Sequence, residues 1–472
     1  MQPKLSLMWF RQDLRVLDNP AFAAACESAA CLPIYIDDDA VSAGDFAAGA
    51  ASRIWLHKSL VALNDALGGG LQCFQGDART ILSELLARHR IEAVYWNRCY
   101  APWQIARDQT IKSWLLDQGT ACRSFNGSLL LEPWELLKAD GAPYRIFTPY
   151  YRAGHAHREA LRALVSTPRI PKLITDAAAL PIDALGLVEA HPYANALSVS
   201  AEAGAQTGLH KLDAFIASAA QNYQHQRDFP GVSATSKLSP HLHFGEISPH
   251  QVWHAVQAAL APSHDRECFL RELVWREFSY YVLYHFPQLP ETNLRSQFDA
   301  FPWREHAGYF QAWCRGQTGY PVIDAGMREL WQTGWMHNRV RMLVASFLVK
   351  NLRIHWRQGA AWFWDCLFDA DLASNSASWQ WVAGSGCDAA PYFRIFNPVT
   401  QGKKFDPDGH YVRRFVPEIA ALPTQYLHAP WEAPLTVLAE ANVQLGDDYP
   451  LPIVDLQQSR IEALEAFQLC RD

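Results

Sequence analysis

The fold class is decided by residues 6–36, which read SLMWFRQDLRVLDNPAFAAACESAACLPIYI. An apolar segment at Ser6–Phe10 is followed by a helical segment near Asn19–Glu27 and by a second apolar segment at Leu32–Ile36. The same alternation continues with apolar segments at 71–74, 93–96 and 122–125 and helical segments at 53–67, 78–89 and 105–117. Strands that alternate with helices at this spacing predict a parallel, doubly wound sheet with helices on both faces.

The rest of the chain differs in composition from this first segment. Residues 132–205 are rich in proline and alanine and contain few periodic segments, so we interpret them as a long inter-domain connector with some helix. From about residue 206 the strand signals disappear and helical periodicity dominates. The sequence therefore predicts an α/β domain over 1–131, a connector over 132–205 and an all-α domain over 206–472.

Size and composition exclude several classes of protein. The 472 residues contain 49% hydrophobic and 19% charged residues, which is typical of a globular protein of two or three domains. No apolar run reaches the roughly 18 residues of a membrane span, and the apolar N-terminus is too short for a signal peptide. Ten scattered cysteines without a CxxC spacing favour reduced thiols and a cytoplasmic location over disulfides or a zinc site.

Charge and tryptophan are unevenly distributed. The net charge is −7, but the segment Arg328–Arg414 contains eleven Lys and Arg against seven Asp and Glu. Eleven of the eighteen tryptophans fall between Trp253 and Trp381. A basic, aromatic-rich stretch in an acidic chain favours a nucleic-acid-binding face, and the alternative is an ordinary surface with some excess base.

The first candidate site is a helix face in the second half of the chain. Glu272, Trp275, Arg276 and Ser279 occur at i, i+3, i+4 and i+7, so they share one face. A carboxyl, an indole and a guanidinium together can hydrogen-bond to a planar heterocycle and stack on it. The alternative is a surface helix with an intrahelical Glu272–Arg276 pair.

The second candidate site follows Gly334, which we expect to end a helix. A new helix starts near Asn338, which places Met342 one turn further on the same face. Asparagine offers a donor and an acceptor, as a pyrimidine edge requires, and methionine offers a polarizable contact for a ring. Asn338 could equally be a plain N-cap.

Two further segments carry polar groups suited to a cofactor. Asp369–Trp381 combines two acids, an amide and two indoles, and either acid could form a buried ion pair with an arginine. The Asp-x-Asp spacing alternatively suggests a divalent metal, but no further ligand cluster supports one, so we expect no metal site. Thr235–Ser239 supplies three hydroxyls and a lysine, which suits a diphosphate, although hydroxyl-rich turns are common.

Taken together, these segments resemble the photolyase/cryptochrome family, in order and over nearly the whole chain. That family has an N-terminal α/β antenna domain joined by a long loop to a helical domain that holds FAD in a U shape. The matching segments are Trp9–Arg15 with Asp18 and Asn19, Thr235–Ser239, Glu272–Phe278, Gly319–Asp324, Thr333–Arg339, Asp369–Trp381 and Ala389–Pro398.

The resemblance implies a set of FAD contacts. Thr235–Ser239 would bind the phosphates, Arg341 would pair with Asp369, and Asn375 would face flavin N5. Phe269 stands where relatives often carry tryptophan. The complete implied set is Tyr223, Thr235, Ser236, Lys237, Leu238, Ser239, Phe269, Arg341, Asp369, Ala370, Asp371 and Asn375.

The resemblance also implies the substrate, a cyclobutane pyrimidine dimer flipped out of damaged DNA. Glu272 would hydrogen-bond to a pyrimidine carbonyl and stabilise the radical anion of the dimer, Asn338 would bind the other pyrimidine edge, and Met342 would pack beside it. Trp275 and Trp381 match the walls of the lesion pocket. The implied DNA contacts are Arg227, Glu272, Trp275, Arg276, Ser279, Asn338, Arg339, Trp381 and Gln401, and the implied electron-transfer chain is Trp379, Trp356 and Trp303.

The implied reaction is light-driven repair by electron transfer from FADH⁻, in a monomeric protein without a membrane. Three alternatives are a (6-4) photolyase, which relies on histidine where this chain has Asn338, a cryptochrome photoreceptor, and an electron-transfer flavoprotein without a DNA role. The presence and identity of a second, antenna chromophore are left open, because an acidic partner expected near Asn97–Arg107 is missing. Methenyltetrahydrofolate is favoured, with a deazaflavin or no antenna as alternatives.

Overall fold

The structure is a computed structural model, and it describes residues 4–188, 194–388 and 393–470. The first four residues of the Ala389–Pro398 segment therefore lie outside the described residues. In the described part of the chain, no helix is long and apolar enough to cross a membrane.

The N-terminal part contains a six-stranded parallel sheet. Its strand order is β3-β2-β1-β4-β5, and the short strand β6 also pairs with β2. This arrangement confirms the predicted parallel sheet. The strands are β1 (Leu5–Phe10), β2 (Ala30–Asp37), β3 (Gln72–Gln75), β4 (Ile91–Asn97), β5 (Ala121–Phe125) and β6 (Lys172–Leu173).

The other regular elements of the described chain are helices, and no strand follows residue 206 there, as the loss of strand signals predicts. The helices are α1 (Pro20–Cys26), α2 (Asp39–Ser42), α3 (Ala50–Ala66), α4 (Ala78–Arg88), α5 (Pro102–Asp117), α6 (Phe147–Ala153), α7 (His155–Glu159), α8 (Ala194–Ser200), α9 (Ala205–Ser218), α10 (Tyr223–Gln226), α11 (Ser239–His243), α12 (Pro249–Ala259), α13 (His264–His285), α14 (Ala307–Arg315), α15 (Pro321–Thr333), α16 (Asn338–Ser346), α17 (Trp356–Cys366), α18 (Leu372–Ala383), α19 (Pro398–Phe405), α20 (His410–Phe415), α21 (Thr424–Leu427), α22 (Leu435–Glu440) and α23 (Leu456–Gln468).

The chain folds into two compact units that interleave along the sequence. The sheet unit comprises residues 1–221, 236–287 and 368–373, and the helical unit comprises residues 222–235, 288–367 and 374–472. The domain boundaries predicted at residues 131 and 205 stay a prediction.

The sheet unit buries both faces of its sheet. Successive side chains of a strand point to opposite faces, and β1 follows this rule: Met8 and Phe10 belong to one apolar cluster, Leu7 and Trp9 to the other. All four side chains are fully buried. Two-sided burial explains why the strands read as continuous apolar runs, as is typical of parallel sheets covered by helices.

In the helical unit, α15 ends and α16 begins where the sequence predicts. Gly334 ends α15 in the left-handed conformation, with φ 66°, which glycine adopts without strain. The helix that the sequence predicts to start near Asn338 is α-helical to Ser346 and continues as a π-helix over Phe347–Asn351.

Candidate functional site

In the sheet unit, the predicted face of α13 is present, and neighbouring segments hold two of its side chains, Arg276 and Trp275. The Arg276 guanidinium donates to the carbonyl oxygens of Ser128, at 2.9 Å, and Leu242, at 3.3 Å. The indole of Trp275 stacks on Phe147, with ring centroids 3.5 Å apart and planes 8° from parallel. These contacts fix an aromatic plane and a cation on the same helix face as the half-buried Glu272.

The carboxylate of Asp371 is tied to this helix. Its Oδ2 accepts a hydrogen bond from the hydroxyl of Tyr280 at 2.5 Å and lies 3.7 Å from Nδ1 of His243. Burial alone would raise the pKa of Asp371, but His243, the nearby charge of Arg276 and the Tyr280 hydroxyl lower it to about 2. Asp371 is therefore a permanent anion, and its polar partners come from α11 and α13.

Tyr280 and His243 were not predicted from the sequence as site residues. A signal for Tyr280 existed, since it lies one turn after Arg276 on α13, where its ring meets the guanidinium at 4.8 Å. His243 gave no local signal, because its position beside Asp371 depends on two segments 128 positions apart in the chain.

The remaining cofactor candidates of the sheet unit cluster in sequence around α11 and Asp371. Lys237 has a left-handed backbone, with φ 53°, and turns the chain into α11, which starts at Ser239. Leu238, Asp369 and Ala370 are buried, and Phe269 packs on Phe215 at 4.5 Å. The set of donors and acceptors consists of the hydroxyls of Ser236 and Ser239, the ammonium of Lys237 and the carboxylates of Asp369 and Asp371. These groups fit the phosphates and sugar hydroxyls of a dinucleotide such as FAD.

In the helical unit, the start of α16 presents a polar side chain to solvent. Asn338 is exposed, and it is not the N-cap: that position belongs to His337, whose Nδ1 accepts from the backbone N–H of Arg339 at 3.2 Å. Burial lowers the pKa of His337 to about 4, so its ring stays neutral and can act as this acceptor. The plain N-cap interpretation of Asn338 is therefore wrong.

Arg339 is held in one orientation by three neighbours. Its Nη2 lies 2.8 Å from Oδ2 of Asp228, its Nη1 lies 3.7 Å from the sulfur of Met342, and its guanidinium covers the ring of Phe405 at 4.5 Å. Arg339 also lines an open cleft with Gln401, so two predicted DNA contacts are brought together. Lys404 and Arg394 line the same cleft and were missed at the sequence level.

The predicted electron-transfer tryptophans lie along α17 and its neighbours. Trp379 and Trp356 are buried, and Nε1 of Trp356 donates to Oδ1 of Asn293 at 3.0 Å. The ring of His355 lies 4.8 Å from Trp303 and 5.6 Å from Trp356, so it stands beside both indoles.

Trp379 lies directly on the backbone of α17 at Gly359. A Cβ added at Gly359 would be 2.1 Å from the Trp379 ring, so only glycine allows this approach. One residue further along α17, the carbonyl of Ala360 accepts from Nδ2 of Asn375 at 3.0 Å, which fixes the orientation of that amide.

The other predicted residues of the helical unit occupy separate environments. Tyr223 is buried, with the guanidinium of Arg227 5.2 Å above its ring. Arg341 donates through Nε to the Met336 carbonyl at 2.8 Å. Trp381 is half-buried and donates to the carbonyl of Asp388. Thr235 is half-buried in the loop before α11.

The last predicted residue, Ser279, lies on α13 of the sheet unit. Its hydroxyl donates to the Trp275 carbonyl.

No group of three or more potential metal ligands occurs among the described residues. The Asp-x-Asp spacing therefore gains no third ligand among the described residues, and the contacts seen for Asp371 are those with Tyr280 and His243.

Comparison with known proteins gives consistent results. The family described as "DNA photolyase" matches residues 6–171, and the one described as "FAD binding domain of DNA photolyase" matches residues 269–469. A deoxyribodipyrimidine photo-lyase of Agrobacterium fabrum is 48% identical, over 98% of this chain and 97% of its own. Cryptochrome-2 of Arabidopsis thaliana is 39% identical, over 99% of this chain and 79% of its own. The crystal structure of a bacterial class III photolyase from Agrobacterium tumefaciens superimposes with a TM-score of 0.93 at 47% identity, covering 100% of this chain and 98% of the other.

Proposed function

Because the chain belongs to the DNA photolyase family, we propose that it repairs cyclobutane pyrimidine dimers in DNA, in a light-driven reaction, as a carbon–carbon lyase. When bound, reduced FAD supplies the photoexcited electron that opens the cyclobutane ring and is afterwards returned. The observation that carries the lesion assignment is the start of α16, where exposed Asn338 stands beside an arginine held in a basic cleft.

The residues of α13 and α16 receive roles in binding the dimer. Glu272 hydrogen-bonds to a pyrimidine carbonyl and stabilises the radical anion of the dimer, Asn338 binds the other pyrimidine edge, and Met342 packs beside it. Trp275 is suited to be a wall of the pocket because Phe147 holds its indole flat. Trp381 is the proposed second wall, and the dimer enters the pocket by flipping out of the duplex, which costs less for a damaged pair.

The DNA backbone is proposed to lie along the cleft that contains Arg339 and Gln401. Both side chains line it together with Lys404, and a cleft with several cations attracts phosphates. Arg227, Arg276 and Ser279 are further proposed contacts, although the guanidinium of Arg276 is engaged by two backbone carbonyls and so acts mainly as a fixed charge.

FAD is proposed to be held by the residues named from the family resemblance. In the sheet unit, Asp371 supplies a fixed negative charge, because its pKa is about 2, and Ser236–Ser239 supply donors for the phosphates. In the helical unit, Arg341, Asn375, Thr235 and Tyr223 complete the proposed set. Trp379, Trp356 and Trp303 are proposed to pass electrons inward during photoreduction.

The second chromophore and the organisation of the protein also belong to this proposal. We assign the antenna role to residues 1–131 and the FAD and DNA roles to residues 206–472, with 132–205 as the connector. Methenyltetrahydrofolate is favoured as the antenna over a deazaflavin. The protein is proposed to act as a monomer in the cytoplasm.

The test is a comparison of lesions under light. Purified protein with bound FAD is given oligonucleotides that carry a cyclobutane dimer, a (6-4) photoproduct or no lesion, and the products are resolved by chromatography. We expect blue light to restore monomers from the cyclobutane dimer alone. Restoration of the (6-4) photoproduct in preference, or of neither lesion, would reject this function in favour of the (6-4) or cryptochrome alternative.

A further inference from the structure

One histidine of the helical unit contacts two of the proposed electron-transfer tryptophans. The ring centroid of His355 lies 4.8 Å from that of Trp303 and 5.6 Å from that of Trp356. Among the described residues, the aromatic-ring contacts of Trp303 are with Phe301 and His355, and that of Trp356 is with His355. The imidazole is therefore the ring that the two indoles share, and none of the roles proposed above uses it.

The two indoles differ in their exposure to solvent. Trp356 is 1% exposed, and its Nε1 donates to Oδ1 of Asn293 at 3.0 Å, whereas Trp303 is half-buried. The plane of the imidazole is inclined by 53° to the Trp303 ring and by 30° to the Trp356 ring. Both separations are typical of aromatic side chains in direct contact. A charge that moves from Trp356 to Trp303 therefore leaves the interior for the surface, and His355 touches both ends of that step.

Hydrogen bonding and burial keep this imidazole neutral. His355 is the N-cap of α17, and its Nδ1 accepts from the backbone N–H of Arg357 at 3.1 Å. A ring nitrogen that accepts a hydrogen bond carries no proton, so the proton of the ring lies on Nε2. Burial, together with the charge of Arg357, lowers the pKa of His355. The positive N-terminal end of α17 also disfavours an imidazolium at this position.

A neutral aromatic ring at this position suits charge transfer between the two indoles. A tryptophan that has lost an electron is positively charged, and a cation beside it would raise the cost of that loss. Electronic coupling between two rings falls steeply with the gap between them, and an intervening π system increases it. Because Nδ1 of His355 already accepts from the N–H of Arg357, the ring passes an electron without taking up the indole proton.

We propose that His355 is a positioning residue of the electron-transfer chain, and that its ring couples Trp356 to Trp303. This role rests on the proposed function, in which Trp379 gives an electron to the photoexcited flavin and is refilled by Trp356. One electron then passes from Trp303 to Trp356 across the imidazole. Oxidised Trp303 is restored by one electron from a thiolate in solution, and no bond of His355 forms or breaks.

The test separates the ring of His355 from its function as a helix cap. Asparagine is a good N-cap without an aromatic ring, so His355→Asn should keep the urea midpoint of unfolding and lower the yield of charge transfer several-fold. Phenylalanine keeps a ring but has no acceptor, so His355→Phe should lower the urea midpoint and keep charge transfer. The matched control is His306→Asn at the N-cap of α14, where the imidazole stacks on Tyr309. It should leave charge transfer unchanged.

Charge transfer is measured on the full chain with oxidised FAD, in the absence of DNA. The readout is the yield of long-lived tryptophan radicals after a laser flash, because a charge that does not reach Trp303 is lost rapidly by return of the electron. Trp303→Phe and Trp356→Phe are measured in parallel to locate the chain itself. The flavin absorbance of each variant verifies equal loading.

The outcomes distinguish the role of His355 from the proposed function on which it rests. If neither tryptophan variant lowers the radical yield, the proposed electron-transfer chain is wrong, and the role of His355 is overturned with it. If both tryptophan variants lower the yield, the role of His355 alone is overturned when His355→Asn gives the yield of the unmodified protein, or when His355→Phe loses as much yield as His355→Asn. A loss in His355→Asn that His355→Phe does not share supports coupling through the ring.

Discussion

Replacement of Tyr280 by phenylalanine tests whether Asp371 is a permanent anion held by α13. The change removes one hydroxyl, which donates to Asp371 Oδ2 at 2.5 Å, and it keeps the ring that packs against the Arg276 guanidinium. Tyr280 and Asp371 are both buried, so water cannot easily replace the lost donor.

The size of the effect follows from the hydrogen bond and from the pKa. A hydrogen bond to a charged group contributes about 1.5–3 kcal/mol. The fall in the pKa of Asp371 from 3.8 to about 2 corresponds to roughly 2–3 kcal/mol for all partners together. We therefore expect Tyr280→Phe to lower the free energy of unfolding by about 2 kcal/mol.

The pH dependence has a definite sign. Because the folded pKa of Asp371 is lowered, its stabilisation is complete above pH 3.8 and is lost only as the pH falls from there towards 2. The cost of Tyr280→Phe should therefore be the same at pH 8 and at pH 5.

The assay is urea unfolding at pH 8, 6.5 and 5, with Tyr281→Phe as the control. Tyr281 is equally buried, but its hydroxyl accepts from the neutral backbone N–H of Tyr144 at 2.9 Å. Its loss should cost about 0.5–1.5 kcal/mol. The reasoning is refuted if Tyr280→Phe costs no more than the control, or if its cost disappears at pH 5, as it would for a carboxyl that is already protonated there.

Three further changes test the helical unit. Trp379→Phe should slow photoreduction of oxidised flavin, measured by absorbance under blue light, and leave repair by pre-reduced enzyme nearly intact; equal loss of both would argue against an electron-transfer role. Gly359→Ala would bring a Cβ to 2.1 Å from the Trp379 ring, so it should lower the free energy of unfolding by about 1–3 kcal/mol. The control is Gly308→Ala on α14, whose Cβ would lie 3.4 Å from the nearest atom, in His306. It should leave the free energy of unfolding unchanged or raise it. Arg339→Gln should weaken binding to damaged and undamaged DNA alike and reduce the salt dependence of binding by about one phosphate contact. The control Arg315→Gln should leave the salt dependence unchanged. An unchanged salt dependence for Arg339→Gln would show that Arg339 does not contact the DNA.

The fold was predictable because its signals are local. Apolar runs at Ser6–Phe10 and Leu32–Ile36 became β1 and β2, and Gly334 ended a helix where a left-handed residue was needed. Strand β6 was not predictable, since Lys172 and Leu173 carry no pattern of their own and form a strand only by pairing with β2. The π-helix after Ser346 likewise has no signal in the apolar periodicity.

Local spacing predicts which candidate residues share a helix, but it does not predict their contacts. The i, i+3, i+4 and i+7 spacing from Glu272 to Ser279 correctly predicted that these residues lie on one helix, which is α13. The partners of Asp371 come from α11 and α13, and nothing in its own segment identifies them. Asn338 was ambiguous because an asparagine at the start of α16 could have been its N-cap, and the structure gives that position to His337.

The central claim is that light drives the repair, and the most direct measurement compares lit and dark reactions of the same pre-reduced protein. Oligothymidylate containing cyclobutane dimers is incubated with the flavin fully reduced, in near-UV or blue light and in darkness, and monomer formation is followed over time. We predict repair in the light and none in the dark. Equal repair in darkness, or no repair in light by fully reduced protein, would contradict the proposed function.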